Sequence, residues 1–317
     1  MALIQKLDEL QPGPAVVQFP ADALARVDRW AATTPQALAL LHKQRGKWEG
    51  WRWRDVLLRL GQLRSGLLRA GIGPHSRLAV SGALEPDLIL LSLAAHAAGA
   101  VVVEVDRYAH GVALRTLLQA AFPTHAFVQE KRNISAWLNS GHVPSRPVSL
   151  YSAQSISHES GVWRLEPLGA LVEISGDHAS DAIVINLRRA LAHRQVLWVE
   201  QGTEWPDGLT TVLEGWLNTG GVLAAPEVKD SSARDRQEVQ PSQILASSAH
   251  VNQLHSELQA RLPITGSWQH LLTHRTNGAA AGPLLRWLQR HIATLHGLPL
   301  QRQNTTSPTL KPCGELT

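Results

Sequence analysis

Residues 170–193 read ALVEISGDHASDAIVINLRRALAH. Ser175 and Gly176 follow a short apolar run and precede a helix-like Arg/Leu/Ala segment. A strand-to-helix junction of this kind is where a phosphate-cradling loop sits, because backbone N–H groups there point at an anion. The rest of the loop is Asp177, His178, Ala179, Ser180, Asp181 and Ala182, so carboxylates accompany the hydroxyls. A second Gly-rich turn, TNGAAAGPLLRW, begins at Thr276 and has no Lys after it; Asn277, Gly278 and Ala279 either line a ligand or form a structural turn. The 15 His residues include no H-E-x-x-H, and the pairs His250/His255 and His291/His296 are five apart, a spacing that shares a helical face poorly. No metal site is therefore expected. SISHESG and ISGDH contain Ser, His and Asp but no G-x-S-x-G elbow.

The elements that must position these residues alternate. Residues 21–45 look helical up to Thr34-Pro35, and ALALLHKQRGKWEGWRWRD reads as a hairpin with an aromatic second strand around Trp51 and Trp53. Residues 54–70 form a helix placing Val56, Leu57, Leu60, Leu63, Leu67 and Leu68 on one face, ending at Gly71. SRLAVSGA, VVVEVD and THAFVQE read as strands, separated by the helices PDLILLSLAAHAAGA and GVALRTLLQAA. Strand and helix in alternation imply a largely parallel sheet with covering helices. Residues 141–160 shift to Ser, Pro, His and Gly and read as a linker between a first α/β subdomain (1–150) and a second (161–300). The second carries the strand GALVEIS, a helix at LRRALAH, the strand QVLWVEQ, a helix at TTVLEGWLN, the strand VLAAP, the charged loop EVKDSSARDRQEVQ, the strand QILAS, and helices at HVNQLHSELQARL and PLLRWLQRHIATL. Residues 301–317 are a polar tail.

The totals fit a globular chain: 317 residues, 44% hydrophobic, 18% charged and net charge +4. The positive charge is scattered, with no run of five like charges, so no nucleic-acid footprint is expected. The single Cys313 rules out an internal disulfide and fits a reducing, cytoplasmic setting. The longest apolar run, LILLSLAAHAAGAVVV, has 16 residues, short of the ~20 that span a bilayer, and reads as a buried helix entering a buried strand. Of the 11 Trp, Trp48, Trp51 and Trp53 on the hairpin read as packing.

The order of these segments resembles the large N-terminal domain of adenylate-forming (AMP-binding) enzymes, closest to long-chain fatty acyl-CoA synthetases. The resemblance rests on RWAATTPQALALLHKQRGKWEGWRWRDV, GIGPHSRLAVSGALEPDLILLSLAAHAAGAVVVEVD, WLNTGGVLAAPE with RDRQEVQPSQILASSAHVNQLHSEL, and NGAAAGPLLRWLQRHIATLHGLPL. Together they cover almost the whole chain, in order. The family joins a carboxylate to ATP as an acyl-adenylate and then transfers the acyl group to CoA. Its loop has the form T-S-G-T-T-G-x-P-K-G. Aligned with it, Ser175 and Gly176 match, Asp177 and His178 replace two Thr, Ala179 replaces Gly, and Asp181 and Ala182 replace Pro and Lys. Its second motif, Y-G-x-T-E-T-S-P, contacts the nucleotide and Mg²⁺. In QRQNTTSP, Asn304 stands for the first Thr and Thr305 for the Glu, while Thr306, Ser307 and Pro308 match.

The resemblance implies an α/β fold with mostly parallel sheets covered by helices, without the family's C-terminal lid. It also implies a degenerate, non-adenylating protein that acts as a binding or scaffold subunit. Its partner would be a full-length paralogue or a second copy, and a fatty-acyl ligand is retained in one version of this reading. ATP, Mg²⁺ and CoA belong only to the alternative, an active fatty acid–CoA ligase. A decayed product is the third reading.

Overall fold

A computed structural model of the chain describes residues 14–144, 146–172, 183–192 and 194–260. The first strand is β1 (Ala15–Val16). It is followed by helix α1 (Ala23–Thr33), which buries Ala23, Val27 and Ala31 and stops before Pro35. The hairpin forms as expected from β2 (Leu38–Gln44) and β3 (Lys47–Arg52). Its turn has positive φ at Arg45 (49°) and Gly46 (75°), the two-residue geometry whose twist matches the flanking strands.

Helix α2 (Trp53–Arg69) buries Val56, Leu60, Leu63 and Leu67, spaced by four, three and four residues. Leu57 and Leu68, expected on the same face, are instead 37% and 49% exposed, because each lies one residue, about 100°, off that stripe. The next elements are β4 (Arg77–Ser81), α3 (Pro86–Ala97), β5 (Val101–Glu104), α4 (Gly111–Ala121) and β6 (His125–Val128), in the expected alternation. Every residue of α3 from Leu88 to Ala95 is buried. The long apolar run is thus a helix packed against α2 and β5. Among the described residues no helix is long and apolar enough to cross a membrane.

The structure departs from expectation after β6. Helix α5 (Lys131–Leu138) follows, and the segment read as a linker carries β7 (Val148–Ser152) and β8 (His158–Ser160). A further strand, β9 (Trp163–Pro167), comes next. VSLYS is short and has buried side chains on both faces (Leu150 and Tyr151 are both inside), so no alternation marks it as a strand. GALVEIS, expected as a strand, begins as a 3-10 turn at Leu168–Leu171. Its three-residue period turns Leu168 and Leu171 to the same side, and both are buried.

From residue 183 on come β10 (Ile183–Val184), α6 (Leu187–Ala190), β11 (Val196–Trp198), α7 (Gly208–Thr219) and β12 (Val222–Ala225). The charged stretch expected as a loop contains helix α8 (Ser232–Val239), which buries Asp235, Arg236 and Val239. Hydropathy hides α8 because its buried charges have partners. Strand β13 (Gln243–Ile244) and helix α9 (Ser248–Ala260) complete the described elements.

The described chain divides into two compact units, each built from separated stretches. One takes residues from 14–37, 52–172 and 201–214. Its seven-stranded sheet runs β1-β5-β4-β6-β7-β9-β8, parallel from β5 to β9, with antiparallel edges at β1 and β8. Leu114, Leu118, Trp137 and Trp163 are among the residues filling one face. Trp137 and Trp163 meet edge-on at 6.0 Å. The second unit takes residues from 38–51, 183–200 and 215–260. Its six-stranded sheet runs β10-β3-β2-β12-β11-β13, with β2, β12, β11 and β13 parallel. Trp48 and Trp198 pack in its core, and Trp216 Nε1 donates to the Ala39 carbonyl at 3.0 Å. These tryptophans are core residues, as the hairpin pattern suggested for Trp48.

Candidate functional site

In an open parallel sheet, ligands bind outside the carboxyl ends of the strands. In the first unit those ends deliver Ser81 from β4, Glu104 from β5 and Gln129 just after β6. All three are buried. The parallel register staggers them along the edge: Glu104 is level with Val80, one residue before Ser81, and Ser81 is level with Val128, one residue before Gln129. The backbone closes over them at two glycines. A Cβ on Gly202 would lie 2.2 Å from the Gly82 carbonyl oxygen, so only glycine permits the approach. Thr203 fastens it: its hydroxyl accepts from Gly82 N at 3.2 Å and donates to the Val105 carbonyl at 2.7 Å.

Charge at this edge is paired around Arg107, with Arg132 also on Glu130 at 2.5 Å. Arg107, 6% exposed, places Nε 2.7 Å from Glu204 Oε2 and donates Nη2 to Glu204 Oε1 at 3.0 Å. Its Nη1 reaches Glu130 at 3.4 Å, and its guanidinium lies over the Tyr108 ring at 5.0 Å. Asn133 Nδ2 donates to its carbonyl. Gln129 Nε2 donates to Glu85. Glu104, 3% exposed, accepts Leu209 N on Oε1 at 3.1 Å, while Oε2 is buried with no hydrogen-bond partner. Burial pushes both Glu85 and Glu104 up to about 8; Asp87 adds to the first, Asp207 and Glu204 to the second. Both carboxyls thus exchange protons near neutral pH, the property a general acid or base needs.

The sign of the pH effect follows. Between the ordinary value of 4.5 and about 8, the folded state keeps protons that the unfolded chain has released. Stability is therefore highest at the acid end of that window and falls as pH rises through it. Thermal unfolding from about pH 5 to pH 8 should show a flatter profile in Glu85→Gln/Glu104→Gln than in the wild type. Burial of His42 pulls it down to about 4, which acts in the opposite sense, so the difference between the two proteins is what isolates the carboxyls. Identical slopes would show that these carboxyls do not titrate in this range.

The second unit has two buried ionic clusters, both closed. Glu200, beyond β11, accepts Arg236 Nη1 at 2.7 and 3.0 Å, Trp198 Nε1 at 2.7 Å, the Ser232 hydroxyl, and His250 Nε2 at 2.5 Å. These donors outweigh burial, led by His250 and Arg236, and hold its carboxyl down at about 2. Lys43, 4% exposed, pairs with Asp235 at 2.8 Å and Glu238 at 2.7 Å. Trp48 Nε1 also donates to Glu238 at 2.8 Å, and Asp235 further accepts the Ser231 hydroxyl and Glu227 N. Every charge here has a partner, so these clusters hold the fold.

None of the site residues expected from sequence falls in this description. Ser175, Gly176, Asp177, His178, Ala179 and Ala182, the Asn277–Gly278–Ala279 turn, and Asn304, Thr305 and Thr306 lie outside the described residues, as do the helix at PLLRWLQRHIATL and the 301–317 tail. Residues 173–182 lie in the sequence between the 3-10 turn at Leu168–Leu171 and β10, which pairs antiparallel with β3 through Ile183–Gly50 and Val184–Glu49. Among the described residues no group of three His, Cys, Asp or Glu could hold a metal ion. The sequence reading passed over Glu104. Its signal was a lone carboxylate in VVVEV, at the carboxyl end of an otherwise apolar strand.

A family description, AMP-binding enzyme, matches residues 27–185, just over half of the 317. This chain belongs to the AMP-binding enzyme family. Solved structures of similar fold include coronafacic acid ligase from Pectobacterium brasiliense, at TM-score 0.57 and 15% identity, covering 77% of this chain and 53% of that one. An acyl-CoA synthetase from Brucella canis matches at 0.56 and 14%, covering 74% and 49%. Acetoacetyl-CoA synthetase from Streptomyces lividans matches at 0.53 and 16%, covering 75% and 44%. This chain thus spans about half the length of these relatives. At such identities the likeness is one of fold: the mixed α/β architecture with largely parallel sheets. No curated protein matches the sequence.

Proposed function

We propose that this AMP-binding family member does not catalyse adenylation and acts as a binding or scaffold subunit. One observation carries the reading. Where the family's phosphate loop has Thr, Pro and Lys, this chain has Asp177, Asp181 and Ala182. Two carboxylates then face a polyphosphate and the neutralising cation is gone. Like unit charges about 6 Å apart repel by about 3 kcal/mol at an effective dielectric of 20. Electrostatic stabilisation is commonly the largest catalytic contribution, so its reversal is decisive. Thr305 in place of the Mg²⁺-binding Glu points the same way, since a neutral hydroxyl is a poor ligand for a hard cation.

The reading extends to a retained fatty-acyl ligand, to a full-length synthetase paralogue or a second copy as partner, and to the cytoplasm as location. Purified protein given ATP, Mg²⁺, CoA and C8–C18 fatty acids should release no pyrophosphate and form no thioester above blank. Robust turnover would establish the active fatty acid–CoA ligase, the reading favoured by the retained Ser175-Gly176 and Thr306-Ser307-Pro308. The decayed-product reading sits poorly with the fully partnered Glu200 and Lys43 clusters, which random substitution would break.

A further inference from the structure

The opposite edge of the first unit's sheet, at the amino ends of β4, β6 and β7, holds a cavity of about 840 Å³. That volume lies within the roughly 300–1,000 Å³ of small-molecule sites. Phe122 and Val143 stand at it with 74% and 83% of their surface exposed, and Pro123, Pro144 and Pro147 add apolar wall. Arg146 lines it, with His75 ahead of β4 and His125 opening β6; no Asp or Glu does. Helix C-termini gather at this edge of a parallel sheet, and their carbonyls favour a cation. Here arginines answer those carbonyls: Arg77 Nε donates to Ala121 O at 2.5 Å, and Arg115 Nε to Ser140 O at 3.0 Å. Among the described residues none of Arg77, Arg115 and Arg146 pairs with a carboxylate. Three guanidiniums without a counter-charge make a positive field that an anion complements.

The wall is held in place before any ligand arrives. His142 N donates to Ser140 Oγ at 3.3 Å, and the His142 ring lies against Trp163 at 6.0 Å. Phe122, the residue capping α4, has φ 46° and ψ 55°, the left-handed region where glycine or asparagine is usual. A phenylalanine there is strained, and its exposed ring recovers little by burial. Folding alone therefore does not account for an aromatic side chain at this position.

We propose that this cavity binds an aromatic carboxylate, with Arg146 pairing the carboxylate and Phe122, Val143 and the prolines taking the ring. A guanidinium fork matches the two oxygens of a carboxylate. Only one arginine lines the cavity, which suits a monoanion better than a phosphate dianion. Rings on Phe122, His75 and His125 suit a flat aromatic body better than a flexible chain. The site lies at the other end of the sheet from Glu104 and is independent of whether the protein adenylates anything.

The test is calorimetric titration of the full chain with 2-naphthoate, 2-naphthalenemethanol, 2-naphthyl phosphate and octanoate. Saturable binding is expected for 2-naphthoate, at least tenfold tighter than for the other three. Arg146→Gln changes an exposed side chain, so it should fold with unchanged circular dichroism yet bind at least tenfold more weakly. Phe122→Gly relieves the left-handed backbone, so its thermal midpoint should be no lower than that of the wild type while naphthoate affinity falls at least tenfold. Loss of folding cannot produce that combination. A cavity that holds only water gives no saturation, and that result overturns the proposal. Equal binding of the alcohol, tighter binding of the phosphate or of octanoate, or undiminished binding by either folded variant overturns it as well.

Discussion

Glu200→Ala should be the most damaging single substitution among the charged residues, lowering the stability of the second unit by about 3–5 kcal/mol. The side chain is an acceptor for Arg236, Trp198, Ser232 and His250 together. Removing it leaves Arg236, 4% exposed, as a buried guanidinium whose carboxylate is gone. Isolated burial of a charge costs far more than the pair contributes. A domain's whole stability is about 5–15 kcal/mol, so a large part of it would be lost. Chemical denaturation followed by tryptophan fluorescence reads this directly, because Trp198 and Trp216 both belong to the unit's interior. A loss under about 1 kcal/mol would mean that the cluster is solvated in solution. The same group sets an acid limit. Its folded carboxyl sits at about 2 and its ordinary value is 4.5, so its contribution is complete above 4.5 and is lost as pH falls towards 2.

Lys43→Met should come second, at a similar about 3–5 kcal/mol, for the mirror-image reason. It would leave Asp235, which has no exposed surface, beside Glu238 with only the exposed Arg234, 3.9 Å away, as a cation. The informative experiment is the cycle with Asp235→Leu. If the cost is that of an orphaned charge, the double variant Lys43→Met/Asp235→Leu should recover much of the loss, because buried ion pairs are often replaceable by apolar groups. Additive losses would show instead that each residue acts through its other partners, Trp48 by ring contact for Lys43 and Ser231 and Glu227 for Asp235.

These two clusters also explain what could be read from the sequence. Apolar periodicity and turn residues mark α1, the β2–β3 hairpin, α2 and the β4–α3–β5–α4–β6 alternation, because hydrophobic burial alone specifies those elements. The same signal fails at α8, whose buried face is made of Asp235, Arg236 and Val239. A charge inside a fold is stable only through partners distant in sequence: Lys43 lies 192 residues before Asp235. It fails again at β7, where Ser, Pro and His around a short buried run imitate a linker, and at Leu168–Leu171, where apolar residues make a 3-10 turn. The carboxyl edge was invisible for a related reason. Glu104 stands alone in VVVEV, and only the parallel pairing of β4, β5 and β6 brings the strand ends carrying Ser81 and Gln129 to the same edge, while Thr203 and Glu204 arrive from a segment about 100 residues later. The phosphate-loop and Mg²⁺ motifs were legible from residue identity alone, through family resemblance, and lie outside the described residues.

The measurement that bears most directly on the central claim is calorimetric titration of the full chain with ATP·Mg²⁺. The carboxylates Asp177 and Asp181, with Ala182 in place of the lysine, predict no saturable binding. They also predict that Asp177→Thr/Asp181→Pro/Ala182→Lys gains measurable affinity, because repulsion is replaced by attraction. Binding of ATP·Mg²⁺ by the wild-type chain at micromolar affinity would contradict the account and return the protein to the adenylating enzymes.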